Sequence, residues 1–466
     1  MRNAHVRSLA SLEMTQDMDR ELTVTITSLD TKGRGVAETP RGLVVVPFAI
    51  PGDTVRVELR GKRKGVWRGI AIERTVDGAG RIDPRCPYVG RCGGCPWQMV
   101  DYPQQLRYKR ETVARALEGI VTHDGDLKVA ATRIPEIPEV VPSPDLFYYR
   151  NRMDYVVGSN GELGLKASEQ WWNVLDLSTC FLLSPEAVEI MSRFRAWMRE
   201  HHVPPWNNQT HSGFARYLVI REGKHTGERM VMVVTAPGEL PGREDLVTRL
   251  QPLATSVLWG INPRITDLSI ADVVHVLHGN AVLHERLGNL TFEIPPNAFF
   301  QTNTAMAERL VDTIREFAGL TGTELVVDLY CGVGVFGIAL ASGAQQVIGV
   351  EADPSAIPVA QRNAMANGVA NARFVLAKSE SWPFPIDPID TLIVDPPRAG
   401  LHPRVIQKIL SLQPHHIIYV SCSPTALARD LKSLLTRYTC NAIRCLDLFP
   451  HTPHVETVVR LVRRDV

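Results

Sequence analysis

The sequence lacks any apolar run of the roughly 18 residues that a membrane-spanning helix needs. Its first 20 residues are mixed and charged, without the apolar segment of a secretory signal, so we expect a cytoplasmic protein that contacts no membrane. Cysteine is scarce, with 8 residues in 466, which argues against a disulfide-built scaffold. The net charge of +1 gives no overall signature of a nucleic-acid partner. What remains is a globular chain long enough for roughly two to four domains.

The positive charge is concentrated in one short segment. Its basic residues are Arg56, Arg60, Lys62, Arg63, Lys64 and Arg68, and they face a single acid, Glu58. Lysine and arginine commonly protect the edge of a hairpin from further strand pairing. They also form patches that bind a phosphate backbone. Charge alone leaves both interpretations open.

Short β-type runs separated by turn residues extend from Glu21 to about Asp77. They cover residues 22–26, 42–47, 53–57 and 69–72, with turns such as Lys32-Gly33 and Pro51-Gly52 between them. So many short strands in one segment predict a small, closed or partly open barrel of the oligonucleotide-binding kind at 20–79. Residues 1–19 are expected to be a flexible tail.

Three of the eight cysteines fall within ten residues. Cys86, Cys92 and Cys95 have the spacing C-x5-C-x2-C in a loop rich in glycine and proline. Thiolates are soft ligands that suit zinc or an iron–sulfur cluster, and the next cysteine along the chain is Cys180. Zinc ribbons usually show two C-x2-C pairs and this chain has one, so we favour an iron–sulfur cluster. Unliganded thiols in a tight loop are the alternative.

The middle of the chain, 80–290, mixes helix and strand signals and predicts an α+β domain. An amphipathic helix is expected at 102–118, ended by Gly119. Aromatic and basic residues alternate over 147–153, a mixture that suits base stacking with phosphate contacts but is also common in a protein core. We interpret the Trp171-Trp172 pair as packing.

From 291 to 466 the pattern becomes the strand–helix alternation of a doubly wound α/β sheet. A strand at 325–330 leads into a G-x-G-x-x-G at Gly332, Gly334 and Gly337, where backbone can approach a ligand at a helix N-terminus. The next strand ends in Glu351, an acid placed to bind ribose hydroxyls. These features fit a dinucleotide and S-adenosylmethionine equally well.

Two later strand ends favour S-adenosylmethionine. One strand ends in Asp395-Pro396-Pro397-Arg398, and a D-P-P at this point is typical of nucleobase methyltransferases. The other, 417–420, leads into Ser421-Cys422-Ser423-Pro424. Because ligands bind at the carboxyl ends of strands in such sheets, Cys422 is a candidate nucleophile. A small buried hydrophobe is the competing interpretation of the same thiol.

With these motifs, nearly the whole chain resembles the bacterial RNA 5-methyluridine methyltransferases that carry an iron–sulfur cluster. The resemblance implies three domains. The N-terminal barrel would be a TRAM domain, the central domain would carry the cluster, and the C-terminal domain would be a Rossmann-like S-adenosylmethionine-dependent methyltransferase domain. It implies a 4Fe–4S cluster held by Cys86, Cys92, Cys95 and Cys180. By the same analogy helix 102–118 packs on the C-terminal domain.

The resemblance also implies roles for single residues. Residues expected to contact the methyl donor are Gln301, Tyr330, Glu351 and Asp395. Cys422 matches the nucleophile and Glu456 the base. Two departures concern the donor site: many relatives have asparagine where this chain has Val335, and the loop 377–379 offers no evident adenine-binding acid or amide.

The expected reaction is methylation of uracil C5 in RNA. Addition of the Cys422 thiolate to C6 makes C5 nucleophilic, C5 takes the methyl group, and Glu456 removes the C5 proton before the enzyme is released. By resemblance the favoured substrate is 23S ribosomal RNA, with transfer RNA as the alternative substrate, and we expect a monomer. Two alternatives are a non-catalytic RNA-binding protein with this fold and a cytosine-C5 RNA methyltransferase.

Overall fold

The computed structural model describes residues 20–120, 134–384 and 388–464. The tail predicted at 1–19 lies outside these ranges. Two compact units make up the chain. The small unit comprises the described residues up to Tyr108 together with His451–Pro453, and the large unit comprises the others.

The small unit contains a six-stranded sheet that curls on itself. Its strands are β1 (Glu21–Thr25), β2 (Ser28–Leu29), β3 (Gly35–Thr39), β4 (Gly42–Val46), β5 (Thr54–Arg63) and β6 (Val66–Val76), in the order β1-β5-β6-β4-β3-β2. Thr27, just after β1, donates its amide to the Val36 carbonyl in β3, so the two ends of the sheet approach each other. The predicted barrel is confirmed.

Alternation of apolar and polar residues gives the barrel its core. Val55, Val57 and Leu59 of β5 are buried while the residues between them are more exposed, as the two-residue period of a strand requires. Beyond Leu59 the alternation stops, and β5 and β6 continue as an exposed hairpin that carries Lys62, Arg63 and Lys64. This is the most basic part of the segment singled out in the sequence.

The large unit begins within helix α1 (Tyr102–Leu117) and contains a mixed seven-stranded sheet. Its strands are β7 (Arg152–Val157), β8 (Leu163–Ala167), β9 (Gln170–Asp176), β10 (Ala215–Glu222), β11 (Arg229–Thr235), β12 (Ser256–Ile261) and β13 (Val273–His278), ordered β13-β12-β11-β10-β7-β8-β9. Helices α2 (Pro185–Glu200) and α3 (Arg243–Leu250) accompany it. Only β11 and β12 are parallel, because α3 provides the crossover between them.

The interpretation of Trp171 and Trp172 as packing residues is wrong, because both side chains are largely exposed. Each side chain is 60% exposed, and the two rings meet edge to face at 5.9 Å. They lie on β9, at the edge of the sheet, where the pairing register with β8 is interrupted between Lys166 and Ala167. The interruption leaves residues 171–173 without partners on β8, so nothing in the sheet covers the two rings.

A hairpin and a helix lead from this sheet to the last one. The hairpin pairs β14 (Leu283–Leu287) with β15 (Leu290–Ile294), and α4 (Thr304–Ala318) follows. Asn303 caps α4 by accepting the Met306 amide at 3.2 Å. This cap fixes the point at which the segment 299–303 leads into α4.

The third sheet has the doubly wound form expected from the sequence. Its strands are β16 (Leu325–Leu329), β17 (Gln346–Glu351), β18 (Ala372–Leu376), β19 (Thr391–Val394), β20 (His416–Ser421), β21 (Tyr438–Leu446) and β22 (Glu456–Arg463), ordered β18-β17-β16-β19-β20-β22-β21. Its helices are α5 (Val335–Leu340), α6 (Ala356–Ala366), α7 (Pro403–Leu412) and α8 (Pro424–Leu434). The first five strands in this order are parallel, and β22 runs antiparallel to both its neighbours.

The strand order reverses direction between β16 and β19. Ligands of open α/β sheets bind outside the carboxyl ends of the strands at such a switch point. Among the described residues, no helix is both long enough and apolar enough to cross a membrane.

Candidate active site

The carboxyl ends of β16, β17, β19 and β20 bring the predicted site residues to one rim of the third sheet. Register pairs Leu329 with both Val350 and Val394, and Val394 with Tyr419. The residues that follow these positions are Tyr330, Glu351, Asp395 and the turn containing Cys422. Parallel pairing therefore gathers four motifs that lie far apart in the sequence.

Glu351 organises the glycine loop. Its carboxylate accepts the Gly332 amide at 3.0 Å and, through the other oxygen, the Ala352 and Asp353 amides at 2.6 and 2.8 Å. Gly334 lies just before the first residue of α5. Its φ of +89° is a backbone conformation that residues with a side chain rarely adopt. Val335 is the first residue of α5 and offers only an apolar side chain there.

Asp328 supports this loop from within the sheet. Its carboxylate is buried and accepts the Gly337 amide at 3.0 Å, while its second oxygen has no partner among the described residues. Burial, together with the nearby carboxylates of Asp395 and Glu351, raises the pKa of Asp328 to about 8, and the hydrogen bond from Gly337 opposes this shift. A proton on Asp328 is therefore favoured at neutral pH.

Tyr330 adopts a left-handed backbone conformation, with a φ of +68°. It lines a cavity of about 660 Å³ formed with the segment after Asp395 and with residues of α7 and α8. Burial raises the pKa of the Tyr330 hydroxyl, which is also hydrogen-bonded to Ser379. The loop 377–379, which offered no evident ligand in the sequence, thus contributes a buried serine beside Tyr330.

The segment 299–303 lies against β7. Asn151 donates its side-chain amide to the Gln301 carbonyl at 2.8 Å and its own backbone amide to Thr302. The Gln301 side chain remains partly exposed. This backbone anchoring fixes Gln301 while leaving its amide group available.

Cys422 occupies the turn between β20 and α8. The Ser421 hydroxyl accepts the Ser423 amide at 3.2 Å and donates to the Ser423 carbonyl at 3.1 Å, and the Ser423 hydroxyl caps α8 by accepting the Ala426 amide at 3.3 Å. Cys422 is partly exposed, unlike the buried Cys331. The interpretation of Cys422 as an ordinary buried thiol does not hold.

Glu456 is the first residue of β22 and lies beside the same turn. Thr457, its neighbour, pairs with Ser421, the residue before Cys422. The Glu456 side chain is buried, and burial together with Asp395 raises its pKa well above the ordinary value, while Arg398 opposes the shift. Burial likewise raises the pKa of Asp395 to about 7.

Cys422, Glu456, Asp395 and Arg398 lie close enough for their charges to influence one another. Burial, together with the Glu456 and Asp395 carboxylates, raises the pKa of the Cys422 thiol to about 11, and the Arg398 guanidinium opposes this shift. Arg398 also helps to lower the pKa of His454 to about 4, chiefly a consequence of burial, so His454 is neutral at pH 7. Arg398 belongs to the Asp395-Pro396-Pro397-Arg398 motif, but the sequence analysis gave it no role. Its position three residues after Asp395 is the signal that could have identified it as a site residue.

The remaining thiols divide into two groups. Cys331, Cys440 and Cys445 are buried, as expected for packing. In the small unit, a single loop carries the half-exposed thiols of Cys86, Cys92 and Cys95, none of them in a disulfide. The Gly94 amide donates to the Cys92 sulfur at 3.4 Å, a contact that favours a thiolate.

The thiols of this loop are suitable ligands for a metal group, but they do not form a metal-binding cluster in the structure. Within the described part of the chain, no three histidine, cysteine or acidic side chains form a group that could hold a metal ion. In the large unit Cys180 is buried, and its charge contributes to raising the pKa of the Tyr155 hydroxyl, mainly an effect of burial.

Two family models match the chain. The model of the tRNA (Uracil-5-)-methyltransferase family matches residues 280–386 and 387–464. The TRAM domain model matches residues 19–72. The first match contains the whole rim described above, and the second covers the barrel sheet up to β6.

Relatives and a solved structure extend the similarity over nearly the full length. A tRNA (uracil(54)-C(5))-methyltransferase of Pyrococcus horikoshii is 37% identical over 90% of this chain and 96% of its own. An uncharacterized RNA methyltransferase of Nitratidesulfovibrio vulgaris is 34% identical over 96% of both. The crystal structure of the Pyrococcus abyssi tRNA (uracil-54, C5)-methyltransferase with S-adenosyl-L-homocysteine gives a TM-score of 0.76 at 34% identity, covering 95% of this chain and 100% of that one.

Proposed function

The chain belongs to the tRNA (uracil-5-)-methyltransferase family and is an S-adenosylmethionine-dependent RNA uracil-C5 methyltransferase; from this premise we propose that Cys422 is its nucleophile and transfer RNA its substrate. The observation that carries the first part is the turn between β20 and α8. It presents a partly exposed thiol at the switch-point rim, within electrostatic reach of Glu456, Asp395 and Arg398.

Covalent catalysis explains why a thiol belongs there. Uracil C5 is a weak nucleophile toward a methyl sulfonium, and addition of the Cys422 thiolate to C6 moves electron density to C5 as an enolate. C5 then takes the methyl group as the sulfur–methyl bond of the donor breaks. Glu456 accepts the C5 proton, and the enolate expels the Cys422 sulfur from C6 to restore the double bond. A base in a folded RNA must leave its stack to enter such a pocket.

The charges around Cys422 and Glu456 support this mechanism. Burial raises the pKa of both Cys422 and Glu456 and so disfavours their charged forms in the free site, and Arg398 opposes this shift for both groups. A sulfonium bound beside them adds positive charge and lowers the pKa of each. We propose Gln301, Tyr330, Glu351 and Asp395 as the residues that hold the donor, with Glu351 toward its ribose.

Transfer RNA is proposed because the Pyrococcus relatives named above act on it by name. They favour it over the 23S ribosomal RNA expected from the sequence. Mapping 5-methyluridine in both RNAs, with and without the gene, tests the proposal. Loss of the modification from transfer RNA alone supports it, and loss from ribosomal RNA alone overturns it.

The cysteine loop is proposed to bind a 4Fe–4S cluster through Cys86, Cys92 and Cys95. The support is the thiolate set in a glycine-rich loop with an amide directed at one sulfur. Cys180 as the fourth ligand stays a prediction of the sequence resemblance. Anaerobically purified protein should contain about four iron atoms and absorb in the visible region; a colourless protein with stoichiometric zinc contradicts the cluster.

A further inference from the structure

Lys109 and Asp447 form a buried ion pair that the chemistry described so far does not use. Both side chains are fully buried, and the ammonium nitrogen lies 2.5 Å from Asp447 Oδ1. Lys109 also donates to the Phe449 carbonyl at 3.0 Å, and the Phe449 amide donates to the same Asp447 oxygen at 3.0 Å. The second Asp447 oxygen has no hydrogen-bond partner among the described residues.

Stability alone is a poor reason for such a pair. Desolvation of two charges offsets most of their attraction, and apolar residues of similar size often stabilise a fold equally well. What the pair does provide is a fixed geometry. Lys109 has three donors, and two of them hold the backbone and side chain of one short turn, 447–449.

The same turn is held from three other parts of the chain. Asp447 donates its amide to the Val141 carbonyl at 3.0 Å. The Asn303 side chain donates to the Leu448 carbonyl at 3.1 Å, and the Tyr149 hydroxyl to the Pro450 carbonyl at 3.2 Å. Five hydrogen bonds to residues 447–450 therefore hold the turn and the residue after it far more tightly than an ordinary surface connection.

The turn connects directly to Glu456. Leu446, the residue before it, pairs with Glu456 across β21 and β22. On the other side, the Phe449 ring meets the His454 ring edge to face at 6.0 Å, two residues before Glu456. The turn therefore follows directly on the residue that pairs with Glu456, and its Phe449 ring contacts a residue just before the Glu456 strand.

We propose that Lys109 is a positioning residue for proton removal: by fixing the 447–449 turn it sets the direction of the Glu456 carboxylate. The proposal rests on the proposed function, in which Glu456 accepts the C5 proton. A general base acts only within hydrogen-bond reach of that proton, so a small loss of direction slows this step strongly.

The nucleophile is held independently. Hydrogen bonds of Ser421 and Ser423 close the Cys422 turn, and Lys109 bonds to neither. Formation of the C6 adduct and removal of the C5 proton should therefore respond differently to a change at Lys109. A purely structural role would slow both steps together.

The experiment separates the two steps with two RNAs. A transfer RNA transcribed with 5-fluorouridine reports adduct formation, because fluorine at C5 cannot leave as a proton and the adduct persists in a denaturing gel. The unmodified transcript reports complete turnover. The variants are Lys109→Met and the neutral pair Lys109→Met/Asp447→Leu, which leaves no unpaired buried charge and so folds even if the single variant does not.

We expect both variants to form the 5-fluorouridine adduct within about threefold of the unchanged protein and to lose about 30-fold or more in turnover. They should also accumulate a methylated adduct on the unmodified transcript. Lys166→Met, which breaks a lysine–aspartate pair with Asp267 elsewhere in the large unit, should change neither rate. Equal losses in both assays, or no loss in either, overturn the positioning role.

The variant Glu456→Gln distinguishes a failure of the Lys109 proposal from a failure of the proposed function on which it rests. If Glu456→Gln turns over normally, Glu456 is not the base and the proposed function fails at that residue. If Glu456→Gln accumulates the adduct while the double variant turns over normally, the assignment of Glu456 as the base is retained and the positioning role of Lys109 is wrong.

Discussion

Cys422, the proposed nucleophile, lies in surroundings that disfavour its thiolate form. Burial and two carboxylates raise the pKa of Cys422 to about 11, and Arg398 opposes them. Only the thiolate attacks carbon, so the free enzyme holds its reactive group in an inactive form. This protects a partly exposed thiol until substrates bring further charge to the pocket.

The pH dependence of Cys422 follows from that pKa. Below it the thiolate fraction rises about tenfold per pH unit, so alkylation of Cys422 by iodoacetamide should rise by about that factor per unit between about pH 7 and about pH 9. Peptide mass spectrometry separates Cys422 from the other thiols. A rate that levels off near neutral pH would mean that the thiolate already exists there.

Single residues at strand ends could be predicted from the sequence. Glu351, Asp395 and Cys422 sit in short motifs at the ends of parallel strands, and the fold rule that such strands end at one edge is enough to gather them. Gln301 lies outside this rule, because it precedes α4 and is anchored by Asn151. The Lys109–Asp447 pair could not be foreseen, since its partners are 338 residues apart and neither lies in a motif assigned to the chemistry.

At the scale of elements, the turn between β20 and α8 does two things at once. Ser423 begins the helix by capping it, and with Ser421 it fixes the backbone on both sides of the nucleophile. The edge of β9 shows the limit of sequence reasoning at this scale. The sequence suggests packing for Trp171, but a register shift against β8 leaves this residue exposed.

Removing the cap should test the turn. Ser423→Ala is expected to cost about 1 kcal/mol of unfolding free energy, measured in urea, because the Ala426 amide loses its acceptor. Methylation should slow as well, since Cys422 loses a neighbouring constraint. Ser423→Thr keeps the acceptor and should preserve both. If Ser423→Ala leaves both quantities unchanged, the cap does not hold the turn.

At the scale of the whole molecule, the chain joins an RNA-binding type of barrel to a methyltransferase sheet. The α/β class and the barrel were both predictable, because each follows from local periodicity repeated over many residues. The boundary between units was not, since His451–Pro453 belongs with the small unit although it is distant in sequence.

The exposed β5–β6 hairpin should supply salt-dependent affinity for RNA. Lys62, Arg63 and Lys64 are exposed at its end, and Lys62 lies 5.4 Å above the Trp67 ring. Replacing all three by glutamine should lower the slope of log affinity against log salt by about two to three. Single-turnover methylation at saturating RNA should stay unchanged. An unaltered slope would make the hairpin a protected edge rather than an RNA contact.

The most direct test is to identify the protein–RNA bond itself. Glu456→Gln incubated with S-adenosylmethionine and transfer RNA, then digested with nuclease and protease, should yield one cross-linked peptide. We predict that the peptide carries 5-methyluridine on Cys422 and that Cys422→Ala abolishes it. A cross-link at any other residue, or methylation that survives Cys422→Ala, contradicts the account.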